Sequence, residues 1–173
     1  TLGALVLTVA VGVVAIDATR ITGFSSEDAV YAAFATGGLD LRGLVLAGLI
    51  VAALGVLDDV TVAQASTVAA LHRADATQSF GTLFAGAMSV GRDHIASVIN
   101  TLVLAYAGAS LALLVLFSTS GLPVLELVSS ELVATEIVKT VVGSLGLIAA
   151  VPLTTAIAAV AHAAGSGGEA ADA

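Results

Sequence analysis

The sequence predicts an all-α protein: a polytopic transmembrane helix bundle of about four spans, plus an interfacial or re-entrant amphipathic helix pair. Three observations carry this. Of 173 residues, 58% are hydrophobic and only 10% charged, with a mean hydropathy of +1.10. A soluble domain carries about 25% charged residues, so this chain lacks the polar surface to cover a water-soluble globule. Apolar runs of about the length needed to cross a bilayer, roughly 20 residues, recur four times. Finally, 36 alanines and 18 glycines supply the small residues that let helices approach closely in lipid.

The first span is expected at about 2–19; its apolar part, Leu2 to Ile16, ends at Asp17 and Arg20. Residue 1 is Thr and no basic stretch precedes this run, so the sequence reads as a fragment and not as the start of a signal peptide. The second span is expected at about 41–58, the third at about 94–117 and the fourth at about 136–162. Pro152 removes a backbone donor inside the fourth, with Thr154 and Thr155 close by to compensate, so a kink is expected there.

Between the first two spans, Ser25 and Asp28 loosely fit capping-box spacing. A short helix, Glu27 to Ala35, should follow and stop at Gly37-Gly38. The connection from Asp58 to Asp93 is too polar to span and too free of breakers to be a plain loop. It is expected to form two amphipathic helices, about 60–72 and 77–92, with Asp75 and Gln78 at capping-box spacing and Phe80, Phe84 and Met88 on one apolar edge. The 118–135 connection is acidic, and a Gly-rich acidic tail, 165–173, is expected to be disordered. Domain organisation is therefore one helical membrane unit over 1–164 and this tail.

Other classes are excluded by arithmetic. Disorder does not suit so apolar a chain, and without cysteine there is no disulfide framework. Five Lys and Arg against thirteen Asp and Glu, a net charge of −8, argue against nucleic acid as a partner. Charge asymmetry does not set orientation: Arg20, Arg42 and Lys139 lie on one side, Arg73 and Arg92 on the other.

Polar residues near apolar spans are the candidates for function, because a charge at the bilayer centre costs roughly 2.5–3.5 kcal/mol. Asp58 and Asp59, followed by Gln64, form the first cluster. They either bind a cation or proton, pair with Arg92, or, for Asp59, cap a helix starting at Val60. Arg92 and Asp93 open the second, in which Asp93, Ser97, Asn100 and Thr101 share one helical stripe with Tyr106 further along. Such a stripe either faces water or bonds helices together. In the third, Glu136 and Lys139 are three apart and pair on one face, unless Lys139 snorkels to the surface. His72, His94 and the neighbouring aspartates lack a metal-ligand signature, so no metal and no cofactor is assigned. No phosphate loop, nucleophile elbow or triad is legible, and no residue argues for an enzyme.

The stretches Gly55 to Ser66 and Gly91 to Gly108 resemble the YibE/F-like family of multi-pass bacterial membrane proteins. Gly23 to Glu27, Asp40 to Gly43 and Glu136 to Leu147 fit the same pattern, with Lys139 where many relatives carry Arg. The resemblance covers almost the whole chain up to the tail. It implies the C-terminal membrane half of a longer protein in the bacterial cell membrane, with 59–93 and the C-terminus cytoplasmic and 118–135 outward. It implies no reaction.

Two functions follow as expectations. One is the membrane core of a transporter or channel-like protein for a small solute or cation, with Asp58, Asp59, Gln64, Arg92, Asp93, Asn100, Thr101 and Tyr106 along its path. The other is a non-transporting scaffold or partner subunit whose 60–92 segment docks a protein. The expected partners are the lipid bilayer, a small solute or cation, and a protein partner or second copy of the chain (a homo-oligomer), with no nucleic acid.

Overall fold

The computed structural model describes residues 1–24, 27–121 and 123–169, with side chains to residue 163. The described residues form seven helices: α1 (Leu2–Thr19), α2 (Glu27–Ala35), α3 (Leu41–Ala74), α4 (Phe80–Ala109), α5 (Leu111–Ser120), α6 (Val124–Val128) and α7 (Glu131–Glu169). Three are long and apolar enough to cross a membrane, α1, α3 and α7, and the bent pair α4–α5 makes a fourth if it counts as one span.

α7 is the hub, packing against α1, α3 and α4. Buried residues spaced four apart mark the inner face of each helix: Ala4, Thr8, Gly12 and Ile16 on α1, and Leu83, Ala87 and Gly91 on α4. Three apolar clusters stack along the bundle. Ile16, Leu49, Val138 and Val142 pack at one end. Ala4, Leu57, Val60, Leu147 and Val151 fill the middle. Val68, Leu83, Ala87 and Ala159 close the other end. Close approach replaces aromatic bulk: a Cβ on Gly146 would land on the Thr8 side chain, so that side chain of α1 packs directly on the α7 backbone.

The corner after α1 is held by carboxylates. Glu131, opening α7, accepts from the amides of Thr22 (2.8 Å) and Gly23 (2.6 Å) and from the Thr22 hydroxyl (2.8 Å). Gly23 sits at φ +85°, where a Cβ would strike the Leu41 backbone at 2.6 Å, so only glycine fits. Arg42 pairs with Asp17 across the same corner. α2 occupies its expected range and is followed by Gly37 and Gly38 at φ +74° and +116°. The expected Ser25 cap lies outside the described residues.

Several boundaries differ from expectation. The break at Asp58-Asp59 is absent: α3 runs through as one helix of 34 residues, about 51 Å long, against a hydrocarbon core of about 30 Å. No Gly or Pro lies between Leu57 and Val60 to stop it, and both carboxylates point outward, so Asp59 caps nothing. The two amphipathic helices are therefore the distal part of α3 and the first turns of α4. Ser79, not Asp75, caps α4, accepting from the Thr82 amide at 3.3 Å. Asp75 instead closes its own turn, accepting from the Thr77 amide (2.9 Å) and hydroxyl (2.6 Å). The third span breaks at Ser110 with a 60° bend, where Gly108 and Ser110 weaken the helix. α7 continues through Pro152 and is helical as far as Glu169, part of the tail expected to be disordered; residues 170–173 lie outside the described residues.

Candidate functional site

Gln64 is the one expected site residue that the fold buries. Its Nε2 donates to the Ala87 carbonyl on α4 and to Thr155 Oγ1 on α7, both at 2.8 Å. The Thr155 hydroxyl in turn donates to the Val151 carbonyl at 2.6 Å. Gly91 makes room: a Cβ there would stand 2.6 Å from Val151 Cγ1 and 2.9 Å from Gln64 Oε1. The node is apolar on all sides and acts as a three-helix fastener.

Asp58, Asp59, Arg92, Asp93, Asn100 and Thr101 all lie on the outer surface of the chain. Among the described residues, neither aspartate of α3 pairs with Arg92. The Thr101 hydroxyl is satisfied within its own helix, donating to the Ser97 carbonyl at 3.0 Å. Of the eight expected path residues, Gln64 is buried in the bundle, Tyr106 borders a cavity beside α7, and the other six lie on the outer surface. His72 lies against His162, ring centroids 5.0 Å apart and the planes tilted by 34°. No group of three or more metal-ligating side chains occurs among the described residues.

Tyr106 leads to a different place. Half-buried on α4, it faces α7 at the level of Glu136 and Lys139. Lys139 Nζ donates to Glu136 Oε1 at 2.8 Å, with the two side chains 25% and 29% exposed. The pairing expected from their spacing is present, and Lys139 is held by Glu136. The pair lies about 8–12 Å along α7 from Glu131, inside a helix apolar enough to span.

Two cavities border Glu136, and the second also borders Lys139. One of about 290 Å³ lies between α4, α5 and α7; Val103, Tyr106, Leu114, Glu136, Thr140 and Val141 are among its walls. The other, of about 320 Å³, lies between α3, α7 and the 20–40 connection, with Gly23, Leu41, Gly48, Thr135, Glu136 and Lys139. Lys139 and Tyr106 also share a small gap beside Leu102 and Gly143. Hydrogen-bonding capacity is left over. An ammonium has three donors and a carboxylate about four acceptor positions, while this pair makes one mutual bond, and Thr140 bonds the Glu136 carbonyl, not its carboxylate. Sequence spacing gives the pair but not the cavities, which depend on α3 and α4 arriving from 80 or more and 30 or more residues away.

A bundle of three or four such helices with a polar pair enclosed among them defines an integral membrane protein. The family model described as YibE/F-like protein matches residues 1–164, and the chain belongs to that family. No curated protein and no solved structure matches the chain.

Proposed function

We propose that this chain is the membrane core of a protein that moves a small solute or ion across the bacterial cell membrane in a multi-pass arrangement. One observation carries this: an incompletely bonded Glu136–Lys139 pair within a spanning helix, reached by two cavities. Charges in such segments are costly and mark solute or ion pathways by default. Glu136 and Lys139 hold the solute, Tyr106 and Thr140 line its approach, and Gln64 fastens α3, α4 and α7 further along the bundle. Asp58, Asp59, Arg92 and Asp93 form a charged rim, and Asn100 and Thr101 continue from it along α4, where a path needs a second wall from a further segment or another copy.

The test is thermal stability of the full chain in lipid nanodiscs across ions, pH values and small solutes, with Glu136→Gln and Asp58→Asn beside the wild type. A ligand that binds only the folded protein raises stability by mass action. A saturating rise lost in Glu136→Gln supports the proposal; a flat panel for every variant counts against it.

A second reading, a scaffold that docks another protein through 60–92, is favoured by one feature. Phe80 and Phe84 stack at 5.8 Å at the start of α4, and Phe80 is 42% exposed. In that case Phe84→Ser releases a partner that copurifies with the wild type.

A further inference from the structure

We infer that the Glu136–Lys139 site takes a small zwitterion of the amino-acid type, a solute carrying one ammonium and one carboxylate and no net charge. The inference rests on the proposed function and specifies its substrate class. It starts from charge balance. The pair is net neutral and about three-quarters buried. A lone cation that engaged Glu136 would strand the Lys139 ammonium, and a lone anion on Lys139 would strand Glu136; an unpaired charge left in a low-dielectric site costs several kcal/mol. A zwitterion replaces both partners at once. Its ammonium takes the place of Lys139 at Glu136, its carboxylate takes the place of Glu136 at Lys139, and no charge is left alone before, during or after binding.

Geometry agrees. Glu136 borders both cavities, and Lys139 borders the one on the α3 side, so an inserted solute has room on either side of the pair. The α4-side cavity is walled mainly by apolar side chains such as Val103, Leu114 and Val141, with Tyr106 and Thr140 beside the carboxylate. That wall suits a small aliphatic substituent. The volumes, about 290 and 320 Å³, stand at the lower limit of ordinary ligand pockets, which selects a small solute over a large one.

The experiment is a melting-temperature panel on the full chain in nanodiscs. Glycine, L-valine, L-glutamine and glycine betaine are the zwitterions; isobutylamine and isovalerate are the separate halves. The inference expects at least one zwitterion to raise the melting temperature saturably, by roughly 5–10 °C at a hundredfold excess over Kd, with neither half doing so. The shift should vanish in Glu136→Gln/Lys139→Met, which removes both charges together and so folds without an unpaired one. An equal shift from isobutylamine or isovalerate alone overturns the inference and leaves the transport proposal standing. So does an absence of zwitterion shifts while some ion or other solute gives one that depends on the pair. Identical behaviour of wild type and double variant with every probe overturns both.

Discussion

Gln64 Nε2 and Thr155 Oγ1 stand 2.8 Å apart, and both residues are almost fully excluded from the surface. The bond joins α3 to α7, and the second Gln64 donor reaches α4 at Ala87. Thr155→Val removes the acceptor and leaves a buried amide donor unpaired. The expected loss is about 1–3 kcal/mol, read from reversible unfolding in mixed detergent. No change would mean that Gln64 finds another acceptor.

Gly146 of α7 packs against the Thr8 side chain of α1, with no room for a Cβ between them. Gly146→Ala should cost about 1–3 kcal/mol by overpacking. Thr8→Ala in the same chain removes the atoms that the new Cβ meets first, so the double variant should recover most of the loss. Additive losses in a double-mutant cycle would show that the two residues do not limit the packing.

Glu131 fastens the 20–24 corner through the amides of Thr22 and Gly23. These contacts are partly solvated, so Glu131→Ala should weaken the corner by only about 1 kcal/mol, roughly a fivefold change in local opening. Hydrogen exchange at the Thr22 and Gly23 amides should speed up by about that factor, with the α7 core unchanged. Unchanged exchange at both amides would contradict the fastening.

The turn between α3 and α4 has its own pH dependence. Hydrogen bonds from the Thr77 hydroxyl and amide hold the Asp75 carboxyl below its usual value of 3.8. A depressed folded value means that the turn gains stability above 3.8 and loses it as pH falls through the folded value. Thr77→Val removes the hydroxyl donor, so the Asp75 titration, followed by carboxyl-carbon NMR, should move up toward 3.8. A titration that stays in place would assign the shift to the amide alone.

The span composition, the α2 boundaries and the Glu136–Lys139 pairing were legible in the sequence because each depends on neighbours within a turn or two. The continuity of α3 was not. Asp58-Asp59 has the chemistry of a helix start, yet a carboxylate caps only where the backbone leaves the helix, and nothing in the 57–60 stretch makes it leave. Ser79 and Asp75 raise the same difficulty four residues apart: both are good caps, and the turn closed on Thr77 decides between them. Periodicity puts the polar residues of α4 in one stripe but does not say whether that face looks inward; Leu83, Ala87 and Gly91 take the inner side. The role of Gly91 is fixed by Gln64 and Val151, 27 and 60 residues away, and no local pattern encodes it.

The most direct test of the account is solute uptake into proteoliposomes holding the full chain, comparing wild type with Glu136→Gln/Lys139→Met and with the charge-exchanged Glu136→Lys/Lys139→Glu. The account predicts saturable uptake of a small solute by the wild type, lost when both charges are removed and partly restored when they are exchanged. Uptake that is indifferent to all three states of the pair, or absent from the wild type for every ion and solute tried, would contradict it.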